Sequence, residues 1–171
     1  MNLTETIKEQ DFFQNLIEKK KANTLSNSIL FFCEDKYTAQ SVLILTALLL
    51  QYPTFDMFNE KSAEYIRIEK GVDLDVKVYP KNAEKLLVAD SNEIVSEAYL
   101  KPVNMPNKIF VINNFDVSTE EAQNKLLKIL EEPPKNVYFI LNGVNTSNIL
   151  STVLSRVVKV NLLPFDYNTL C

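Results

Sequence analysis

Four sets of residues in this chain stand where chemistry could be done, and two of them lack the residue types that chemistry needs. Arg156 closes the segment TVLSR (152–156), just ahead of a β-rich run. A guanidinium stays charged and presents a planar fork of donors, which suits charge on a transferring phosphate. An arginine at a helix C-terminus is also favoured by the helix dipole alone. Residues 33–40, CEDKYTAQ, join an apolar run to an apolar helix, the place where a phosphate-binding loop would lie, yet they contain no glycine. Glycines let backbone amides wrap phosphates, so the usual amide nest is not expected here. Asn113 and Asn114 follow the run KIFVI, where a nucleotide hydrolase carries adjacent acids. An amide can ligate a metal weakly but is no base near neutral pH. Glu131 and Glu132 are adjacent carboxylates, but a helix end followed by Pro133-Pro134 reads as a solvated terminus.

Composition removes other classes. There is no histidine, which excludes Ser-His and Cys-His nucleophiles and the commonest zinc ligand. Cys33 and Cys171 give neither metal spacing nor a disulfide framework and fit a reducing compartment. A length of 171 residues suits one domain, and a net charge of −4 argues against a dedicated nucleic-acid-binding domain. Lys19-Lys20-Lys21 reads as solvated charge at a helix end. The N-terminus shows no signal-peptide pattern. Residues 42–50 are almost wholly apolar but too short to span a bilayer. The expectation is a soluble, cytoplasmic protein with a buried helix there and no membrane association.

The elements that must position these residues follow from periodicity. Residues 5–21 have apolar positions at helical spacing, and 28–33 form a continuous apolar run expected as a buried strand. After a polar turn at 34–38 comes the helix 39–51, then a loop over 53–62. Residues 65–68 and 76–79 are strand candidates around a turn at Gly71. Asp90-Ser91 is placed as the cap of a helix over 92–100. KIFVI (108–112) and VYFIL (137–141) are further buried strands, and Ser118 with Glu121 forms a capping box for the helix between them. A short helix over 148–154 and a strand over 157–162 complete the pattern. Strands apolar throughout, alternating with helices, predict an α/β fold with a parallel sheet covered on both faces. No clear closing element follows before Leu170-Cys171, consistent with an excised N-terminal domain.

The stretch EEAQNKLLKILEEPP (120–134), with Ser155-Arg156 at its spacing, resembles the core of bacterial clamp-loader ATPase subunits of the AAA+ class. The similarity extends over 27–50, 89–100, 108–134 and 137–156. It implies a RecA-like, P-loop-type fold with a five-stranded parallel sheet, in a single domain over 1–171. Lid and collar domains are then expected in the full-length protein. Aligned on strand and helix, Ala39 stands where the phosphate-loop lysine belongs and Gln40 where its hydroxyl partner belongs, directly after Thr38. Glu34 and Asp35 would set negative charge against polyphosphate, and Lys36 reads as a solvated loop lysine. Asn113-Asn114 replace the acid pair, Asp116 is placed outside the site, and Gly143-Val144 fall where a phosphate-sensing polar residue is expected.

Within the family the chain looks most like the degenerate delta-prime type of the DNA polymerase III clamp loader. That resemblance implies a non-catalytic, stator-like member of a five-subunit ring that loads the sliding clamp onto primed DNA. Ser155 and Arg156 would match its Ser-Arg-Cys motif, with Val157 in place of cysteine, and Arg156 would reach the ATP of a neighbour. Its partners would be ATPase subunits of the gamma/tau type and a delta-type subunit, with no metal or cofactor of its own. The fragment alone is expected to be monomeric. The alternative is a divergent clamp-loader-like ATPase that binds or slowly hydrolyses ATP. Residues 53–62 lack the cysteines of the zinc module found in many relatives; Phe55, Met57 and Phe58 suggest a small satellite core instead. Gln123, Asn124 and Lys125 read equally as a solvent face or as contacts to a neighbour or DNA.

Overall fold

A computed structural model describes residues 2–81 and 84–162. Five strands, β1 (Ser28–Phe32), β2 (Val76–Tyr79), β3 (Lys108–Ile112), β4 (Val137–Gly143) and β5 (Val158–Asn161), form one sheet in the order β2-β3-β4-β1-β5. Every pairing is parallel. β1 and β3 are buried at all five positions, the burial that a parallel sheet covered on both faces demands. The expected α/β architecture is therefore the one observed.

The helices α1 (Leu3–Glu9), α2 (Asp11–Lys21), α3 (Lys36–Gln51) and α4 (Ala63–Glu69) share one buried cluster with Ile29, Phe31, Ile109, Val111 and Ile140. On the other face α5 (Val88–Ala98), α6 (Glu120–Glu131) and α7 (Ser151–Leu154) pack on Leu30, Phe110, Ile112, Phe139 and Leu141. Alternation along each strand divides the two cores. As expected, residues 42–50 of α3 are all buried. Among the described residues no helix is long and apolar enough to cross a membrane.

Several local expectations need correction. The opening helix is two helices, because Gln10 adopts extended angles (φ −69°, ψ 146°) between them. Residues 65–68 belong to α4 and not to a strand; Tyr65 and Ile68 are buried three positions apart, a helical spacing that a four-residue window cannot separate from alternation. The cap of α6 is Thr119, whose hydroxyl accepts from the Ala122 amide, while Ser118 donates to the Phe115 carbonyl. α5 begins at Val88, with Asp90 inside it accepting from the Leu87 amide. α3 starts earlier than expected, α7 later, and β4 runs on to Gly143. Phe55 is buried and Phe58 packs on the core, but Met57 is exposed. In the lysine run, Lys20 turns in to donate to the Leu49 carbonyl, and burial lowers its ammonium pKa. The Leu170-Cys171 end lies outside the described residues.

Candidate functional site

β1 leads through α3 on one face to the far edge strand β2, whereas β4 leads through α7 on the opposite face to β5. The connections diverge between β4 and β1, and in open parallel sheets such a point opens a crevice at the carboxyl ends of the strands. A cleft of about 970 Å³ lies there, walled by the strand ends at Tyr79, Asn113 and Asn142 and by Lys36 and Gln40 of α3. Lys36 and Lys85 are matched by Glu84 and Asp116 on its lining, so the cleft offers no excess positive charge to a polyphosphate.

The amino end of α3 is closed by the chain itself. Only residues 33–35 separate β1 from α3, and the Cys33 amide continues the sheet by donating to the Gly143 carbonyl at 3.0 Å. Asp35 is the N-cap: its carboxylate accepts from the Thr38 amide at 2.8 Å and the Thr38 hydroxyl at 2.5 Å. A helix amino end attracts an anion through free amides and dipole. Here an internal carboxylate takes that position. Thr38 and Ala39 are buried and do not line the cleft, while Gln40 does.

At the strand ends, alternation sets Asn113 and Asn142 on the same face of the sheet as α3, side by side as the β3–β4 register runs on from Ile112↔Leu141. Asn142 donates to Asn113 Oδ1 at 3.0 Å and accepts from the Asn114 amide at 2.7 Å. Asn114 is left-handed (φ 55°), a conformation asparagine tolerates. Asp116 is buried and accepts from the Val144 amide at 2.9 Å, and it lies on the cleft wall, contrary to its expected place outside the site. A Cβ at Gly143 would stand 3.4 Å from the Asp116 side chain, an ordinary van der Waals contact. Tyr79 forms the floor; its hydroxyl donates to Glu93 at 3.0 Å, and burial pushes its pKa up. The hydrogen bond from Lys81 holds the Glu93 carboxyl below its ordinary value.

Arg156 lies at the other end of the molecule. It precedes β5 and therefore sits at the amino ends of the strands, while the cleft is at their carboxyl ends; a five-residue strand such as β1 spans about 16 Å. Its Nε donates to Glu131 Oε2 at 3.2 Å, and its Nη1 donates to the Thr152 carbonyl at 2.7 Å and Ser155 Oγ at 3.4 Å. Ser155 in turn donates to the Thr152 carbonyl at 2.9 Å. Glu131 is thus a partner of Arg156, where the sequence suggested only a solvated helix end.

A family model described as DNA polymerase III, delta subunit, matches residues 8–166. The chain belongs to that clamp-loader family. It is 34% identical to a DNA polymerase III subunit gamma from Buchnera aphidicola subsp. Acyrthosiphon pisum over 95 residues, 56% of this chain and 26% of the relative. It is 48% identical to a subunit delta' from Buchnera aphidicola subsp. Baizongia pistaciae over 56 residues, 33% of this chain and 17% of that one. A gamma-subunit-related protein from Thermotoga maritima superposes with a TM-score of 0.66 at 22% identity, covering 98% of this chain and 48% of the other. That likeness bears out the fold, a five-stranded parallel sheet covered by helices. The chain spans about a quarter of the gamma relative's length.

In this clamp-loader-family chain the cleft therefore gathers Gln40, Asn113 and Asn114 of the expected residues, leaves Thr38 and Ala39 in the interior, and keeps Ser155 and Arg156 apart. The polar residue at the end of β4 is Asn142, one position before the expected Gly143-Val144. Strand alternation carried one residue past KIFVI and VYFIL pairs it with Asn113. Gln123 is buried, and its amide pins the 148–150 turn through the Asn148 carbonyl and the Leu150 amide, so it is no part of a solvent face. Asn124 and Lys125 are exposed.

Proposed function

We propose that this clamp-loader-family chain is a non-catalytic, stator-like subunit of the DNA polymerase III clamp loader, of the delta-prime type. In that role it helps load the sliding clamp onto primed DNA and lends Arg156 to the ATP site of a neighbouring gamma/tau-type subunit. A delta-type subunit is its other expected partner. The observation that carries the proposal is the self-capped amino end of α3, where Asp35 fills the position a phosphate would take. The asparagines where a magnesium ligand and a water-orienting acid would be needed support the same conclusion. The placement of Arg156 at the amino ends of the strands, away from its own cleft, supports a role toward a partner.

A divergent ATPase is the second reading, favoured by the volume of the cleft, which could admit a nucleotide. Titration of the full-length chain with ATP and magnesium separates the two. Binding too weak to measure is expected; micromolar binding would overturn the non-catalytic assignment. In the reconstituted complex Arg156→Ala should lower ATP turnover while the subunit still folds and assembles. Wild-type turnover in that variant would remove the trans-acting role.

A further inference from the structure

We propose that Glu131 is the positioning residue for Arg156, holding the guanidinium aimed before any phosphate arrives. Resting on the trans-acting reading of Arg156, this adds what aims the group.

A carboxylate in the last turn of a helix stands against the helix dipole. Glu131 is the last residue of α6, and Pro133-Pro134 prevent the helix from continuing. The cation that offsets this placement is Arg156, met through Nε at 3.2 Å. The two backbones are locked before the side chains meet. Ile129 and Leu130 of α6 share a buried cluster with Val153 of α7, and Gln123 ties α6 to the turn that leads into α7 at 2.9 and 2.8 Å.

The pattern of contacts is directional. Glu131 holds Nε, while the Thr152 carbonyl and the Ser155 hydroxyl hold Nη1, and among the described residues Nη2 makes no hydrogen bond. Nε and Nη1 are anchored, and Nη2 alone is presented. A free arginine side chain loses much rotamer freedom when it engages a phosphate. Anchors on two nitrogens remove that freedom in advance, and such pre-orientation lowers a barrier without any new contact to the reacting group. Glu131 does not cancel the charge it aims, because its side chain is 60% exposed and the pair is screened by water.

The test uses the full-length chain assembled with its ATPase partners, the clamp and primed DNA, reading kcat and KM for ATP hydrolysis. Glu131→Ala should lower kcat on the order of threefold to tenfold with little change in KM, since it disturbs aim and not nucleotide binding. Glu131→Gln keeps an oxygen that can accept from Nε and should recover most of the loss. In an Arg156→Ala background, Glu131→Ala should cost nothing further. Three results would overturn the proposal: wild-type kcat in Glu131→Ala when Arg156→Ala is impaired, an undiminished Glu131→Ala effect in the Arg156→Ala background, or failure of the Glu131 variant to assemble. Should Arg156→Ala itself turn over normally, the trans-acting reading falls and the positioning role with it.

Discussion

Replacing Asp35 by alanine tests the observation that closes the candidate phosphate site. The side chain caps α3 through two hydrogen bonds to Thr38, at 2.8 Å to the amide and 2.5 Å to the hydroxyl. Loss of an N-cap costs about 1 kcal/mol, within 0.5–2. Loss of the negative charge at the amino end adds roughly 0.3–1 kcal/mol. Thirteen of the sixteen residues of α3 are buried, so tertiary packing holds the rest of the helix and only its first turn loosens. The cost is then bounded by the cap and charge contributions, about 0.8–3 kcal/mol. Asp35→Asn keeps the acceptor and loses the charge, so it should fall between wild type and Asp35→Ala. In 1 M salt, where the screening length is about 3 Å, the Asp–Asn difference should shrink while the Asn–Ala difference persists. Urea unfolding of the full-length chain reads these values as midpoint shifts at constant slope. An Asp35→Ala cost under about 0.5 kcal/mol, the scatter of ordinary surface changes, would refute the reasoning. The amino end of α3 would then be satisfied by other means, and the ground for treating the phosphate position as filled would be gone.

Two further predictions concern the scaffold. Asp75, 1% exposed, accepts from the amides of Val103, Asn104 and Met105 at 2.6, 2.8 and 2.8 Å; Asp75→Ala should cost about 3–5 kcal/mol in urea unfolding, and a loss below about 1 kcal/mol would mean water replaces the carboxylate without penalty. Tyr65 donates to Ser41 at 3.0 Å, and burial pushes its pKa from 10.0 up to about 12, so the folded state holds that proton more tightly than the unfolded chain. The stability it contributes is intact below pH 10 and is lost as pH rises toward 12; Tyr65→Phe should flatten that alkaline decline, and parallel wild-type and variant curves would count against it.

The parts of the fold readable in the sequence were those where burial leaves one choice. The run 108–112 is a strand with the expected bounds, because a short, β-rich apolar run between polar turns has few other places to go; 76–79, half-buried at Lys77 and Val78, is legible from its alternation and β-branched valines. The misplaced elements are short and half-exposed. Tyr65 to Ile68 satisfies both the period of a strand and that of a helix, and packing of Tyr65 and Ile68 against α3 decides between them. Caps were misjudged by one to three residues, because Ser118 and Thr119 are equally good acceptors until the backbone turn at Phe115–Val117 engages the first. At the site, the absence of glycines from residues 33–40 and of an acid pair after KIFVI was legible from residue types alone, whereas the place of Asp116 on the cleft wall was not. The self-capping of α3 by Asp35 was not, since it depends on how few residues join β1 to the helix. Glu131 was likewise invisible, because its partner lies twenty-five residues away across an interhelical contact.

The separation of the cleft from Arg156 follows from the direction of the strands. A parallel sheet sends every strand the same way, so its own ligand is met at the carboxyl ends, and a residue just ahead of a strand faces away from it. Among the described residues no buried side-chain nitrogen or oxygen lacks a hydrogen-bond partner. The polar groups at the strand ends are spent on one another: Asn142 on Asn113 and Asn114, Asp116 on Val144, Asp35 on Thr38. A working phosphate site needs donors held open for the ligand, at a cost in stability when it is empty. Strand-end side chains that are already paired with one another avoid that part of the cost. α6 runs from the turn after Asp116 to Glu131, the residue that accepts from Arg156. The paired asparagines stand on the α3 face and the Glu131–Arg156 pair at the end of the α5–α6–α7 face, so the two arrangements belong to opposite layers joined through the sheet.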